Sequence, residues 1–428
     1  MRTIIRACRP GRRALAALAA PLALGLSGCF EAPPMDAEQI GFRGVAMEQV
    51  ENPDVVNPIK LANVLPEPLP AAPDVEGAPR AGDVYQNVQV LGDLSVAEFT
   101  RTMQAITAWV SPDAGCTYCH VGNNYALDGI YTKVVSRRMM QMTMDINANW
   151  DNHVGETGVT CLTCHRGQPV PEYIWFDQEP LNRQGGMAAN SYEQNHANEE
   201  VGYTSMARDI FDRYLDGDPE RIRVIAKNVL PVRDVLTNEP TQATENTYSL
   251  MFHMAGSLGV NCTYCHNSRF FGSWEMSPPT RMTAWYGLKM VPDLNDVYLN
   301  PLGPVYPESR LGPVVMSDGL AIGEDGTHAN APKVNCTTCH QGVAKPFYGV
   351  SMLDDYPVWR GEGYEGQLTV PYDPMSFQPT EDRPADFEEG EGPAAAVPGA
   401  AEDERTSAVD PAMLEGLGGS SGKETAVR

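Results

Sequence analysis

Basic charge is scarce in this sequence. Its 428 residues carry 31 lysines and arginines against 55 aspartates and glutamates, a formal net charge of −24. A surface of that sign repels phosphate backbones, which excludes nucleic acid as a partner, and it attracts basic proteins. Long apolar runs are missing too. Beyond Leu26 no stretch approaches the roughly 20 apolar residues that a membrane-spanning helix needs. Cysteine is nearly absent outside one recurring pattern: of ten, only Cys8 and Cys29 fall elsewhere, both near the N-terminus. Charged residues make up only 20% of the chain, and with Gly 39 and Pro 35 the composition points to a loop-rich body.

What is present is one pentapeptide, four times over. Cys116–His120 (CTYCH), Cys161–His165 (CLTCH), Cys262–His266 (CTYCH) and Cys336–His340 (CTTCH) each read Cys-x-x-Cys-His. This is the attachment signature of c-type haem. Cys116 and Cys119, Cys161 and Cys164, Cys262 and Cys265, Cys336 and Cys339 would form thioethers to the two vinyl groups. His120, His165, His266 and His340 would each supply one axial nitrogen. Zinc sites seldom carry a histidine after every cysteine pair, and a disulfide framework gives no reason for one. Four covalently bound haem c groups are the expected cofactors. Their apolar surface would replace much of an ordinary aliphatic core.

The N-terminus reads as an export signal. Arg2, Arg6, Arg9, Arg12 and Arg13 precede the apolar run Ala14–Leu26, and Leu26-Ser27-Gly28-Cys29 matches a bacterial lipobox. Residues 1–28 would be removed and Cys29 lipidated, which would anchor the chain to a membrane surface. Loss of the five arginines would take the net charge from −24 to −29.

Taken in order, residues 29–88 are rich in proline and asparagine and are expected to be an extended, wrapping segment. A first unit spans 89–170, a connecting segment 171–240 and a second unit 241–350. Residues 351–428 end in an acidic, Pro/Ala/Gly-rich tail, expected to be disordered from about 380. Helices are expected over Val96–Val110 after the N-cap Ser95, about Lys133–Trp150, around Val201–Leu215 and Pro219–Val229, Thr244–Leu258, and about Pro279–Val291. Four of them precede a motif. The fold class is therefore mainly α, a loop-rich multihaem cytochrome with little β. It would be built from two pseudo-duplicated haem-pair units, helix–turn–CxxCH repeated four times.

The sixth ligand at each iron decides between an electron carrier, with both axial sites filled, and a catalyst with one open. Met103 is the only methionine of the first helix. In the third, Met251 holds the comparable place, with Met254 as competitor. The second offers Met139, Met140, Met142 and Met144. Aligning Asp145-Ile-Asn147 with Asp293-Leu-Asn295 puts Gly287 opposite Met139 and Leu288 opposite Met140, so the fourth helix lacks their thioether counterpart. Gly287 is expected to let a haem plane approach the backbone. Candidates for the fourth iron are His153, Met290, Met316 and His328. His196 reads as solvated, and His253 points away from Met251.

The chain resembles the tetrahaem cytochrome subunit of purple-bacterial photosynthetic reaction centres over residues 30–360. The resemblance rests on the lipobox, the four motifs, the helix before each, and segments such as Gln89–Leu94 and Thr280–Tyr286. It implies pairing of Met103 with His120, Met139 with His165, Met251 with His266, and His153 with His340. It further implies a near-linear row of haems, the third-attached nearest the bacteriochlorophyll special pair, followed by the fourth, second and first. Implied partners are the reaction-centre L and M subunits and a soluble donor, a small cytochrome c or a high-potential iron–sulfur protein. The implied location is the periplasmic face of the bacterial inner membrane, and the implied role is electron transfer without catalysis. A general periplasmic respiratory wire, or a multihaem reductase with one open haem, are the rival functions.

Overall fold

The structure is a computed structural model. It describes residues 35–39, 48–73, 75–178, 199–202, 204–206, 210–217, 219, 222, 224, 239–313 and 330–361. All of these belong to one compact unit. The signal segment, Cys29, His196, Met316, His328, the tail beyond 361 and most of the expected helix Pro219–Val229 lie outside the described residues.

The described residues are mainly helical. The one sheet among them is a two-stranded antiparallel ribbon, β1 (Asp36–Gln39) with β2 (Glu48–Glu51), Asp36 opposite Glu51. Next comes α1 (Pro53–Ala62), capped by Asn52, whose side chain accepts from the Asp54 N–H at 3.0 Å. Residues 29–88 are thus not simply extended as expected. The Asn-Pro pair that reads as a breaker is here an N-cap followed by proline at the first turn, where no N–H is needed.

α2 (Val96–Val110) starts where expected, with the Ser95 hydroxyl accepting from the Glu98 N–H. α3 (Tyr131–Asn149) follows the first motif, and α4 (Cys161–His165) is the second motif itself. In the connecting segment, where helix is expected near Val201–Leu215, the described residues form a 3-10 turn, Glu199–Val201, and a short helix, Ile210–Tyr214. α5 (Glu239–Leu258) and α6 (Thr280–Leu294) precede the third and fourth motifs. α6 runs on through a π turn, Asn295–Leu299, and a 3-10 segment to Val305, and α7 (Cys336–His340) is the fourth motif.

Two apolar clusters hold these elements, and α3 lies between them. Met140 faces the first, with Trp109, Leu162, Phe347, Leu353, Tyr356 and Trp359; Met144 packs against it one turn on. Met142 and Ile146 face the second, with Ile210, Phe211, Leu250, Leu294 and Tyr298. Each fully buried side chain of this kind stabilises the fold by roughly 1.5–3 kcal/mol.

Polar clamps set the register of the helices. The Asn147 amide donates to the Val159 carbonyl at 2.8 Å and accepts from the Val159 N–H at 2.8 Å. Asn295 does the same with Val334, at 3.0 and 2.9 Å. At the other ends of the same helices, Thr132 donates to the Tyr118 carbonyl and Thr280 to that of Tyr264. The Gly167 N–H reaches the Trp109 carbonyl at 2.8 Å, and the Gly342 N–H reaches that of Ser257 at 2.8 Å. Arg166 and Gln341, each following a motif histidine, are both left-handed. The Arg166 guanidinium is held by the carbonyls of Ala62 at 2.7 Å, Thr163 at 3.0 Å and Cys339 at 3.3 Å, and it lies over the Phe347 ring. One side chain thereby ties the N-terminal segment to the second and fourth motifs.

Candidate haem attachment sites

The four motifs adopt two local shapes. The first and third are 3-10 turns, Gly115–Tyr118 and Cys262–Tyr264. The second and fourth are single α turns closed by capping boxes, Thr160 with Thr163 and Asn335 with Thr338. In every one the histidine Nδ1 donates to a backbone carbonyl further along the chain. His120 reaches Tyr125 at 3.2 Å and His266 reaches Phe271 at 2.8 Å, each five residues on. His165 reaches Gln168 at 2.9 Å and His340 reaches Val343 at 3.0 Å, each three residues on.

A carbonyl can only accept, so each Nδ1 carries the proton and each Nε2 keeps its lone pair. That tautomer is the one a metal-binding imidazole needs, with its outer N–H fixed by a second partner. Burial lowers the pKa of His120, His165 and His340 and so favours the neutral ring; His340 is pushed down to about 4, burial acting first and the neighbouring His153 adding to it. Burial pushes Cys119 up to about 11 and Cys161 and Cys336 up to about 12. Burial thus keeps these thiols neutral, and a thioether, which has no proton to lose, suits the same apolar surroundings.

The second and fourth motifs are neighbours. The neighbouring Cys339 thiol, together with burial, raises the Cys164 thiol well above its ordinary value. His153, on the short turn Asp151–Val154 after α3, faces His340 across 6.0 Å between ring centres, the planes inclined at 67°. Two imidazoles on opposite sides of one metal, at the ~2 Å metal–nitrogen distance of a histidine ligand, have ring centres roughly 6 Å apart. The His153 Nδ1 donates to the Thr283 carbonyl at 2.9 Å, so its Nε2 is also free.

Gly287 proves to have a different neighbour from the expected one. A Cβ placed there would lie 2.5 Å from His153 Cε1, so the space beside this glycine is filled by an imidazole rather than kept for a haem plane. Sequence reasoning missed this because His153 and Gly287 lie in different halves of the chain.

The methionines sort by environment. Met103, Met139 and Met251 are half-buried at the margins of the apolar clusters, as are the competitors Met144 and Met254. Met140, Met142 and Met290 are core residues, each less than a tenth exposed. His253 is a core residue as well. Its Nδ1 donates to the Glu200 carbonyl at 2.9 Å, Ser257 lies 3.3 Å from its Nε2, and burial pushes its pKa down to about 4.

A loop carrying the Tyr125 carbonyl steadies His120. Lys133 donates to the carbonyls of Tyr125 and Leu127, both at 2.8 Å, and pairs with Asp128 at 3.0 Å. Burial raises the Asp128 pKa, but hydrogen bonds from Arg137, Asn87 and Lys133 outweigh it and hold the carboxyl down to about 2.

Thiols in pairs, imidazoles with bare Nε2 atoms and facing histidines all fit haem c. The sequence model of the photosynthetic reaction centre cytochrome c subunit matches residues 31–360. The chain belongs to that family. It is 47% identical over 335 residues to the photosynthetic reaction center cytochrome c subunit of Rubrivivax gelatinosus, covering 78% of this chain and 85% of that one. Against the subunit of Thermochromatium tepidum it is 46% identical over 332 residues, covering 78% and 76%. Against that of Roseobacter denitrificans it is 42% identical over 288 residues, covering 66% and 74%. As a member of this family the chain is an electron carrier of photosynthesis that holds haem c covalently and associates with the reaction centre, hence with the photosynthetic membrane. Among the described residues no helix is long and apolar enough to cross a membrane.

Proposed function

We propose that the chain binds four haem c groups, one per motif, and passes electrons from a soluble periplasmic donor to the photo-oxidised bacteriochlorophyll special pair. It acts as a carrier and not as an enzyme, because every iron has two protein ligands. The ligand pairs are Met103 with His120, Met139 with His165, Met251 with His266, and His153 with His340. Bound haem supplies one-electron iron chemistry, and thioether ligation raises its potential relative to paired histidines.

The observation that carries the reading is the facing pair: His153 and His340, each with its Nδ1 on a carbonyl, stand at the spacing of a bis-histidine metal. The other three motif histidines share that Nδ1 bond, as does the core residue His253. The residues hold ligand orientation in advance, so a change of charge requires little rearrangement. Helix register supports the methionines. Met103 stands six residues before Trp109 and Met251 six before Ser257, the two carbonyls that receive the matching Gly167 and Gly342 N–H groups. Met254 has no such counterpart. The same pairs of clamps support a duplication relating unit 89–170 to unit 241–350, with α2 matching α5 and α3 matching α6.

For direction along the row, contact of Cys164 with Cys339 supports adjacency of the second and fourth haems. Phe270, Phe271, Trp274, Met276, Met282 and Trp285 are exposed around the third motif. An apolar surface of that kind suits burial against the reaction-centre L and M subunits. The acidic surface suits a basic donor such as a small cytochrome c, with a high-potential iron–sulfur protein as the other donor class. Lipidated Cys29 would hold the chain at the periplasmic face of the inner membrane.

A saturating flash on membranes carrying the chain tests the role. Haem oxidation should appear as the bleached special pair recovers, and deletion of the chain should abolish that fast phase. A special pair that recovers equally fast without this chain would overturn the proposal.

A further inference from the structure

The two matched helices α3 and α6 differ at one decisive place. Met139 stands seven residues after Thr132 and eight before Asn147; Gly287 stands seven after Thr280 and eight before Asn295. Both end residues make the same bonds in both helices, so the register is fixed by contacts at each end. Gly287 therefore occupies, on α6, the backbone position from which Met139 projects on α3.

We infer that Gly287 is the positioning residue that commits the fourth iron to a histidine as its sixth ligand. The inference rests on the proposed ligand set. A Cβ at 287 would lie 2.5 Å from His153 Cε1, 2.9 Å from Nδ1 and 3.1 Å from Nε2. Three atoms of one flat ring meet it, and the ring cannot swing aside freely because Nδ1 is held on the Thr283 carbonyl at 2.9 Å. Thr283 lies four residues before Gly287, on the same helix face. The helix thus offers an acceptor and, one turn later, a missing side chain, and together these form a seat for one imidazole. Removing the methionine at this position does two things at once. It takes away the thioether that α6 would otherwise present, and it opens the space through which a histidine from the other half of the chain reaches the iron opposite His340.

The seat also separates two outcomes for the potential. A methyl group at 287 displaces His153 and supplies no replacement ligand. A methionine there displaces His153 and restores the thioether that α3 carries.

The test uses the full-length haem-loaded chain with G287A, G287M and H153G, read by whole-protein mass, ferric paramagnetic resonance and redox titration. Four haems by mass and unchanged behaviour of the other three irons show that each variant has folded. G287A should convert one low-spin iron to high-spin. G287M should keep all irons low-spin while raising the titration step of the fourth haem. In H153G, added imidazole should restore the paired-nitrogen signal, and the double variant H153G/G287A should resist that restoration, which also serves if G287A alone assembles poorly. If the unmodified protein has no bis-histidine iron, or H153G leaves it intact, the ligand set itself is wrong. If H153G removes the signal but G287A, G287M and the imidazole rescue in the double variant leave it as before, the ligand set stands and the role of Gly287 is overturned.

Discussion

Asp128 shows how one side chain can orient a histidine it never touches. It anchors Lys133 and Arg137, and Lys133 in turn fixes the carbonyl that orients His120. D128N should lower stability by on the order of 2 kcal/mol, because the buried Lys133 ammonium loses its charge partner; a denaturant midpoint measures it. Since the folded carboxyl is depressed to about 2 from its ordinary 3.8, its contribution is complete above the ordinary value. It drains away as pH falls between those two values. The stability difference between wild type and D128N should therefore be full at pH 5 and nearly gone at pH 2. A difference that persists unchanged at pH 2 would contradict the assignment. At this scale the sequence was legible where the pattern is local: the four CxxCH turns stand out by spacing, and their histidines share one Nδ1 bond to a carbonyl a few residues on. It was ambiguous where several candidates share a helix: burial sets Met140 and Met142 apart as core residues, but Met139 and Met144 are both half-buried. Gly287 was singled out for the right property, a missing side chain, and given the wrong neighbour.

Among the elements, the asparagine clamps tie α3 and α6 to the backbone just before the second and fourth motifs. Asn295 is fully buried, donating to the carbonyls of Leu215 at 2.6 Å and Val334 at 3.0 Å and accepting from the Val334 N–H at 2.9 Å. Asn295→Leu leaves those backbone groups unpaired, at roughly 1–3 kcal/mol each. The expected result is a several-kcal/mol loss in chemical denaturation with the fourth haem's potential displaced. Asn147→Leu should act likewise on the second. A clamp variant with wild-type stability would show that the register is held elsewhere. Helices preceding the motifs were readable to within a few residues from caps and periodicity, as where Ser95 marks the start of α2. α1 was not read, although Asn52-Pro53 is an N-cap signal, because Pro58 inside the helix argues against one. The β1–β2 ribbon was equally unread, since strands of four residues carry too little alternation to stand out.

For the whole molecule, charge and ligation govern function. The net charge of −24 predicts a donor encounter driven by long-range attraction. With a basic cytochrome as donor, the association rate should fall by roughly tenfold or more as ionic strength rises from about 0.01 M to about 0.15 M. A rate independent of salt would show that docking is apolar. Composition alone gives this sign of charge; spacing left His153 one of four candidates to stand opposite His340, and the two rings meet only in the folded chain. The central claim is that four irons are bound and that each is capped on both sides by protein. A redox titration of the purified protein, followed by visible absorption, tests it most directly. Four one-electron steps are predicted, and fewer than four would contradict it.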